Sequence, residues 1–183
     1  MRFLPLLALL IAAPLAAQTH RAENVRVGSS GMMGGVAGPY TLFSLAHNRV
    51  VPNADSASTA WDLAFRGTTV LVNGGTSGPG VGAARLVEAP FESVLLYTGD
   101  PLLADGENEC PRGAGLAVCT GSGNGWYVYG ERGVSPLPDR TLVVRLADGS
   151  SLAKVRFLGY TLGDEQPDGS RPRFYAFEYA PLP

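Results

Sequence analysis

Apolar and polar positions along the chain fall into short alternations and short apolar runs, broken every few residues by Gly, Pro or Asn-Gly. This pattern predicts strands rather than helices. Tyr40-Thr41-Leu42-Phe43-Ser44-Leu45 opens a strand, and Val50-Val51-Pro52-Asn53 reads as a turn. In Ala60-Trp61-Asp62-Leu63-Ala64-Phe65 the alternation sets Trp61, Leu63 and Phe65 on one side. Arg66-Gly67 separates this run from the β-branched Thr68-Thr69-Val70-Leu71-Val72-Asn73, which predicts a hairpin or sharp bend. The clearest local signal is Thr141 to Ala147, then Asp148-Gly149, then Ser150 to Leu158. Asp-Gly suits a two-residue type I′ turn, in which both central residues take positive φ. Such a turn opposes Leu142 to Val155 and Val144 to Ala153 on one face, and Val143 to Lys154 and Arg145 to Leu152 on the other, one face dry and one mixed. Arg173 to Tyr179 alternates again, with Tyr175, Phe177 and Tyr179 in phase, and predicts a closing strand. Ala83 to Ala89 is too short for an amphipathic helix, and Pro90 halts it.

Composition sharpens this picture. The 183 residues include 24 Gly and 14 Pro, a content that excludes a helical bundle, because interior Gly and Pro cost a helix about 1 and about 3 kcal/mol relative to Ala. Lys plus Arg number 14 against 16 Asp plus Glu, so the basic footprint needed for nucleic acid or an anionic membrane is missing. Residues 1–17 have the layout of a secretory signal peptide: Met1-Arg2, an apolar run from Phe3 to Ala13, then Pro14-Leu15-Ala16-Ala17 before Gln18. The apolar run is shorter than the roughly 20 residues of a membrane span, and Gln18 stands where a lipoprotein carries its acceptor Cys. Residues 18–39, Gly-rich and polar, predict a flexible N-terminal arm, and residues 40–183 a single β domain. Export makes a disulfide between Cys110 and Cys119 the expected state of the two cysteines, at the base of a Gly-rich loop.

Catalytic signatures are weak. Gly78-Pro79-Gly80-Val81-Gly82-Ala83 spells a dinucleotide fingerprint, yet the helix that would meet a pyrophosphate has no room before Pro90. Gly75-Thr76-Ser77-Gly78-Pro79 nearly spells a nucleophile elbow, but the chain has only His20 and His47 to serve as base. Asp100, Asp105, Glu107 and Glu109, like Asp164, Glu165 and Asp168, read as solvated loop carboxylates, and neither group has the spacing of a calcium loop. The reading is therefore a non-catalytic protein. Trp126-Tyr127-Val128-Tyr129 reads as a strand with its tyrosines at a wet edge, or as a Tyr-lined platform for a flat ligand. Met32-Met33 reads as a pair covering core, or as soft sulfur donors.

The segment from Trp61 to Gly78, with its Trp-Asp-apolar-Ala-Phe strand and Asn73-Gly74-Gly75 turn, resembles the HmuY family of exported haem-binding proteins. The aromatic strand at Trp126 to Tyr129, the Asp148-Gly149 turn, Lys154 in the return strand and the Phe/Tyr-rich strand at Phe174 to Tyr179 follow in the family's order. The resemblance runs from about Tyr40 to Tyr179 and implies an all-β fold: a two-layer, antiparallel β-sandwich-like domain with long loops at one end that grip haem. It further implies a role in iron acquisition, a periplasmic, cell-surface or secreted location, and an outer-membrane receptor as partner. The chain departs from the family in having no His or Met after His47. Haem iron takes His, Met, Cys or Tyr as axial donors, which leaves Met32, Met33, His47, Tyr127 and Tyr129 as candidates. The alternative is a structural or protein-interaction module on the same scaffold.

Overall fold

A computed structural model describes residues 18–30, 35–111, 115–131 and 133–183. The leader-like residues 1–17, and Met32 and Met33, lie outside the described residues. The strands are β1 (His20–Ser30), β2 (Val36–Ala37), β3 (Thr41–Ser44), β4 (Arg49–Val51), β5 (Leu63–Arg66), β6 (Thr69–Val72) and β7 (Ala83–Val87). They continue with β8 (Tyr127–Gly130), β9 (Gly133–Pro136), β10 (Thr141–Arg145), β11 (Leu152–Leu162) and β12 (Arg171–Leu182). Helical structure among the described residues is confined to single 3-10 turns at Asn53–Asp55 and Phe91–Ser93, and no helix there is long and apolar enough to cross a membrane.

The domain is an all-β sandwich. A six-stranded antiparallel sheet, ordered β2-β1-β12-β11-β10-β7, packs on a four-stranded sheet ordered β4-β3-β5-β6, and a separate β8-β9 ribbon lies against β11. Inward side chains of both sheets make one core: Phe43, Leu63, Phe65, Val70 and Val72 from the smaller sheet meet Leu142, Val144, Val155, Phe157, Tyr175 and Phe177 from the larger. Phe65 sits 5.1 Å from the Tyr175 ring and 5.5 Å from Phe177, and Trp126 covers Phe157 at 4.4 Å. Truncating a buried aromatic of this kind costs about 3 to 5 kcal/mol.

The strongest register expectation holds. Leu142 pairs with Val155, Val143 with Lys154, Val144 with Ala153 and Arg145 with Leu152. The turn type differs: only Gly149 takes positive φ, and its N–H donates to the Leu146 carbonyl, so the loop is longer than a two-residue I′ turn. The mixed face is covered as well, because residues 88–102 cross it, and Val143 is buried there with Val94 and Leu182. Gly67 and Thr68 form the expected hairpin, with Arg66 opposite Thr69.

Three expectations are corrected. Val50 and Val51 belong to β4, with the turn beginning at Pro52. Trp61 does not share a face with Leu63 and Phe65: the backbone bends at Asp62, and Trp61 joins Leu42, Val51 and Ala64 in a second cluster on the outer face of the smaller sheet. Finally, His20–Ser30, expected as part of a flexible arm, is a full strand paired along β12. Its inward residues Ala22, Val25 and Val27 escape a period of two because register shifts fall between Ala22 and Val25 and between Arg26 and Ser29. Asn24 (φ 55°) and Gly28 (φ 94°) lie within those shifts and take the left-handed conformation common at bulges.

Candidate functional site

The Trp-Asp and Asn-Gly-Gly motifs build a set of buried polar fasteners. The Asp62 carboxylate, buried at the bend, accepts the Leu45 N–H at 2.8 Å through Oδ2 and the Ala147 N–H at 3.0 Å through Oδ1. It thereby ties the end of β3 to the β10-β11 turn. Asn73, fully buried, donates from Nδ2 to the Ser58 and Trp61 carbonyls and accepts the Gly80 N–H through Oδ1. Each such bond satisfies a backbone group that would otherwise be stranded away from water.

Asp105 is the third fastener, and it overturns its expectation as a solvated loop charge. It is 1% exposed, with Oδ1 accepting the Ala117 N–H at 2.8 Å and Oδ2 the Val72 N–H at 3.0 Å. Burial pushes its carboxyl above the usual aspartate range, against the Ala117 N–H, the Ser77 hydroxyl and the Val72 N–H, which favour the charged form. Ser77 beside a buried acid has the outline of an activated hydroxyl. The acid also holds two backbone donors, and so ties β6 to the loop at Ala117.

The glycines follow from the same crossing. A Cβ on Gly74 would lie 2.0 Å from the Gly82 carbonyl oxygen, and one on Gly75 (φ +61°) 2.0 Å from that of Asp105. The fingerprint-like run is therefore a place where two backbones touch.

Among the described residues, the candidate donors do not converge. Tyr127 is buried in the core, its hydroxyl accepting hydrogen bonds from Thr68 Oγ1 and the Gly121 N–H, both at 3.2 Å. Tyr129 is 59% exposed and meets Tyr127 edge-on at 5.3 Å. The two tyrosines thus share no platform. His47 sits exposed in the β3-β4 turn. That turn includes Leu45 and Ala46, which line the same cleft as Leu152 at one end of β11, whereas Trp126, preceding the tyrosines, packs on Tyr160 near the other end of β11. Eight strand residues separate the two ends by roughly 25 Å. The described donors therefore do not fit haem iron held between two axial ligands. No group of three or more His, Cys, Asp or Glu among the described residues is placed to hold a metal ion. Cys110 and Cys119 form a disulfide, and Asn108 braces the same loop by donating to the Leu116 and Ala117 carbonyls.

Several concavities of about 210 to 470 Å³ open on the described surface, and two of them follow from the corrections to the fold. A trough of about 370 Å³ opens on the outer face of the smaller sheet, over Leu42, Trp61, Ala64 and Leu71, with Tyr40 on its wall. The Arg66 guanidinium lies 4.2 Å from the Tyr40 ring centre and donates to its hydroxyl. A smaller cleft lies between the two sheets at one end. Sequence reasoning missed both: the trough depends on Trp61 turning outward, and the cleft on β1 joining the sheet.

The fold and its fasteners define the class of protein, an all-β sandwich domain stapled by one disulfide. No family model and no curated protein matches the chain.

Proposed function

We propose that this chain is an exported, non-catalytic binding protein of HmuY type that holds a flat, apolar ligand in the trough over Trp61. Haem is the ligand the resemblance implies. The trough carries the reading: its volume, about 370 Å³, falls within the range of small-molecule sites, roughly 300 to 1,000 Å³, and an apolar floor with a few polar groups at the rim suits a flat aromatic guest. The disulfide supports an oxidising, exported compartment. The lack of convergent donors among the described residues argues for packing rather than two-sided iron ligation as the source of affinity, and Met32 and Met33 enter the test below as further donors.

Titration with haemin and with metal-free protoporphyrin IX tests this. Saturable quenching of tryptophan fluorescence by both, lost in Leu71→Arg, supports the trough; no quenching by either overturns it. A Soret shift on adding haemin, tracked through Met32→Ala, Met33→Ala, His47→Ala and Tyr129→Phe, identifies any axial donor.

A second reading, a protein-contact module, draws on Leu95 and Leu96, which stand side by side at 72% and 59% exposed. Concentration-dependent sedimentation that disappears in Leu95→Asp with Leu96→Asp would favour self-association through them.

A further inference from the structure

The pairing of β3, β5 and β6 arranges the outer face of the smaller sheet in rows. Leu42 stands opposite Ala64 and Ala64 opposite Leu71, and these three, with Trp61, make the apolar floor of the trough. Side chains two residues apart share a face, so the next row, roughly 7 Å along the strands, is Tyr40, Arg66 and Thr69. Arg66 pairs with Thr69, and Tyr40 precedes Thr41, which pairs with Phe65. An apolar row thus borders a row that carries one cation.

Arg66 is exposed, yet its guanidinium is held in place. It lies 4.2 Å from the Tyr40 ring centre and donates to the Tyr40 hydroxyl at 3.2 Å. A cation over an aromatic face is favoured, and a side chain already ordered in this way loses less entropy when it engages a ligand. The bond to Tyr40 uses one of five guanidinium N–H donors. Arg21, Arg85, Arg140, Arg156 and Arg171 each pair with a Glu or Asp, whereas no acidic side chain among the described residues pairs with Arg66. None of the residues that line the trough is acidic.

We propose that Arg66 is a carboxylate anchor at the edge of the trough, so that the ligand is a flat apolar molecule with an acidic group on its rim. The inference rests on the trough being a binding site and names the substituent its ligand carries. With the apolar body over Leu42, Ala64 and Leu71, one edge of the ligand faces Arg66, whose planar fork of N–H donors matches a carboxylate. Because Arg66 stays open to water, the ion pair adds a modest, salt-sensitive share of the affinity.

The probes are 2-naphthoate and 2-acetonaphthone, an anion and a neutral molecule with the same ring system and nearly the same size. Amide shifts in two-dimensional NMR should saturate with both and cluster at residues 40–42, 64–66 and 69–71, with 2-naphthoate the tighter. Arg66→Gln should weaken 2-naphthoate about three- to fivefold and leave 2-acetonaphthone unchanged, and Arg66→Lys should recover part of the loss. Added salt should weaken 2-naphthoate in the parent protein and not in Arg66→Gln. Equal affinity of the parent protein for the two probes, or equal 2-naphthoate affinity in the parent and Arg66→Gln, overturns the anchor and leaves the trough standing. The absence of saturable shifts at these residues with either probe overturns the trough and the anchor together.

Discussion

Asp62 and Ala147 stand 85 positions apart, yet the Asp62 Oδ1 accepts the Ala147 N–H at 3.0 Å while its other oxygen holds Leu45. One side chain of the Trp-Asp motif thus joins the smaller sheet to the turn that closes the β10-β11 hairpin.

Asp62→Ala should destabilise the protein by about 3 kcal/mol, since it strands two buried N–H donors and removes two charge-assisted bonds. Urea midpoints measure the loss. A change below about 0.5 kcal/mol would mean that the turn and the β3 end are held by packing alone.

Asp105 gives stability an unusual slope with pH. Its folded carboxyl is raised, chiefly by burial, so between the ordinary aspartate value and the raised one the folded state binds more protons than the unfolded. Its contribution is therefore fully present below the unfolded value, about 3.9, and is lost as pH climbs through the raised value. Glu92, Asp148 and Asp168 are lowered, mainly by local hydrogen bonds, and slope the opposite way. The difference between the parent protein and Asp105→Asn, followed by unfolding midpoints from pH 3.5 to 7, isolates the Asp105 slope. A pH-independent difference would contradict it.

Lys154 donates from Nζ to the Phe91 and Val94 carbonyls, both at 2.8 Å, and lies over the Phe91 ring. Lys154→Met should cost about 1 to 3 kcal/mol by leaving those acceptors unpaired. Amide exchange should quicken between Phe91 and Tyr97, and unchanged protection there would show that the Lys is not what fastens this segment.

Gly74→Ala should fail to reach the native fold, or lose more than about 3 kcal/mol, because its Cβ would meet the Gly82 carbonyl oxygen at 2.0 Å. Gly130→Ala, which meets nothing within 4 Å, is the control and should be tolerated. Soluble yield and thermal midpoint compare the two.

Reducing the Cys110–Cys119 bridge, which closes a loop of sequence separation 9, should cost about 2.5 kcal/mol in the chain-entropy model. Alkylation before reduction should find no free thiol, and after reduction two. Exchange at the Ala117 amide, bound to Asp105, should rise most.

The β10-β11 register could be read directly from residue order, because a period of two and a short turn are local properties. So could the all-β class, from Gly and Pro content and short alternations, and the disulfide, from two cysteines in a chain with a leader-like start. Strand β1 was hidden by its own bulges, which shift Val25 and Val27 out of a simple alternation with Ala22. Burial of Asp62, Asn73 and Asp105 was equally invisible: a carboxylate or amide in a loop looks solvated until distant backbone N–H groups are brought to it. What residue order determined alone was the all-β material of the sandwich, the β10-β11 register, the β5-β6 hairpin and the bridge. Which polar groups became fasteners, where the described donors ended up, and where the concavities opened were decided only when the sheets packed, since each depends on atoms from segments tens of residues apart.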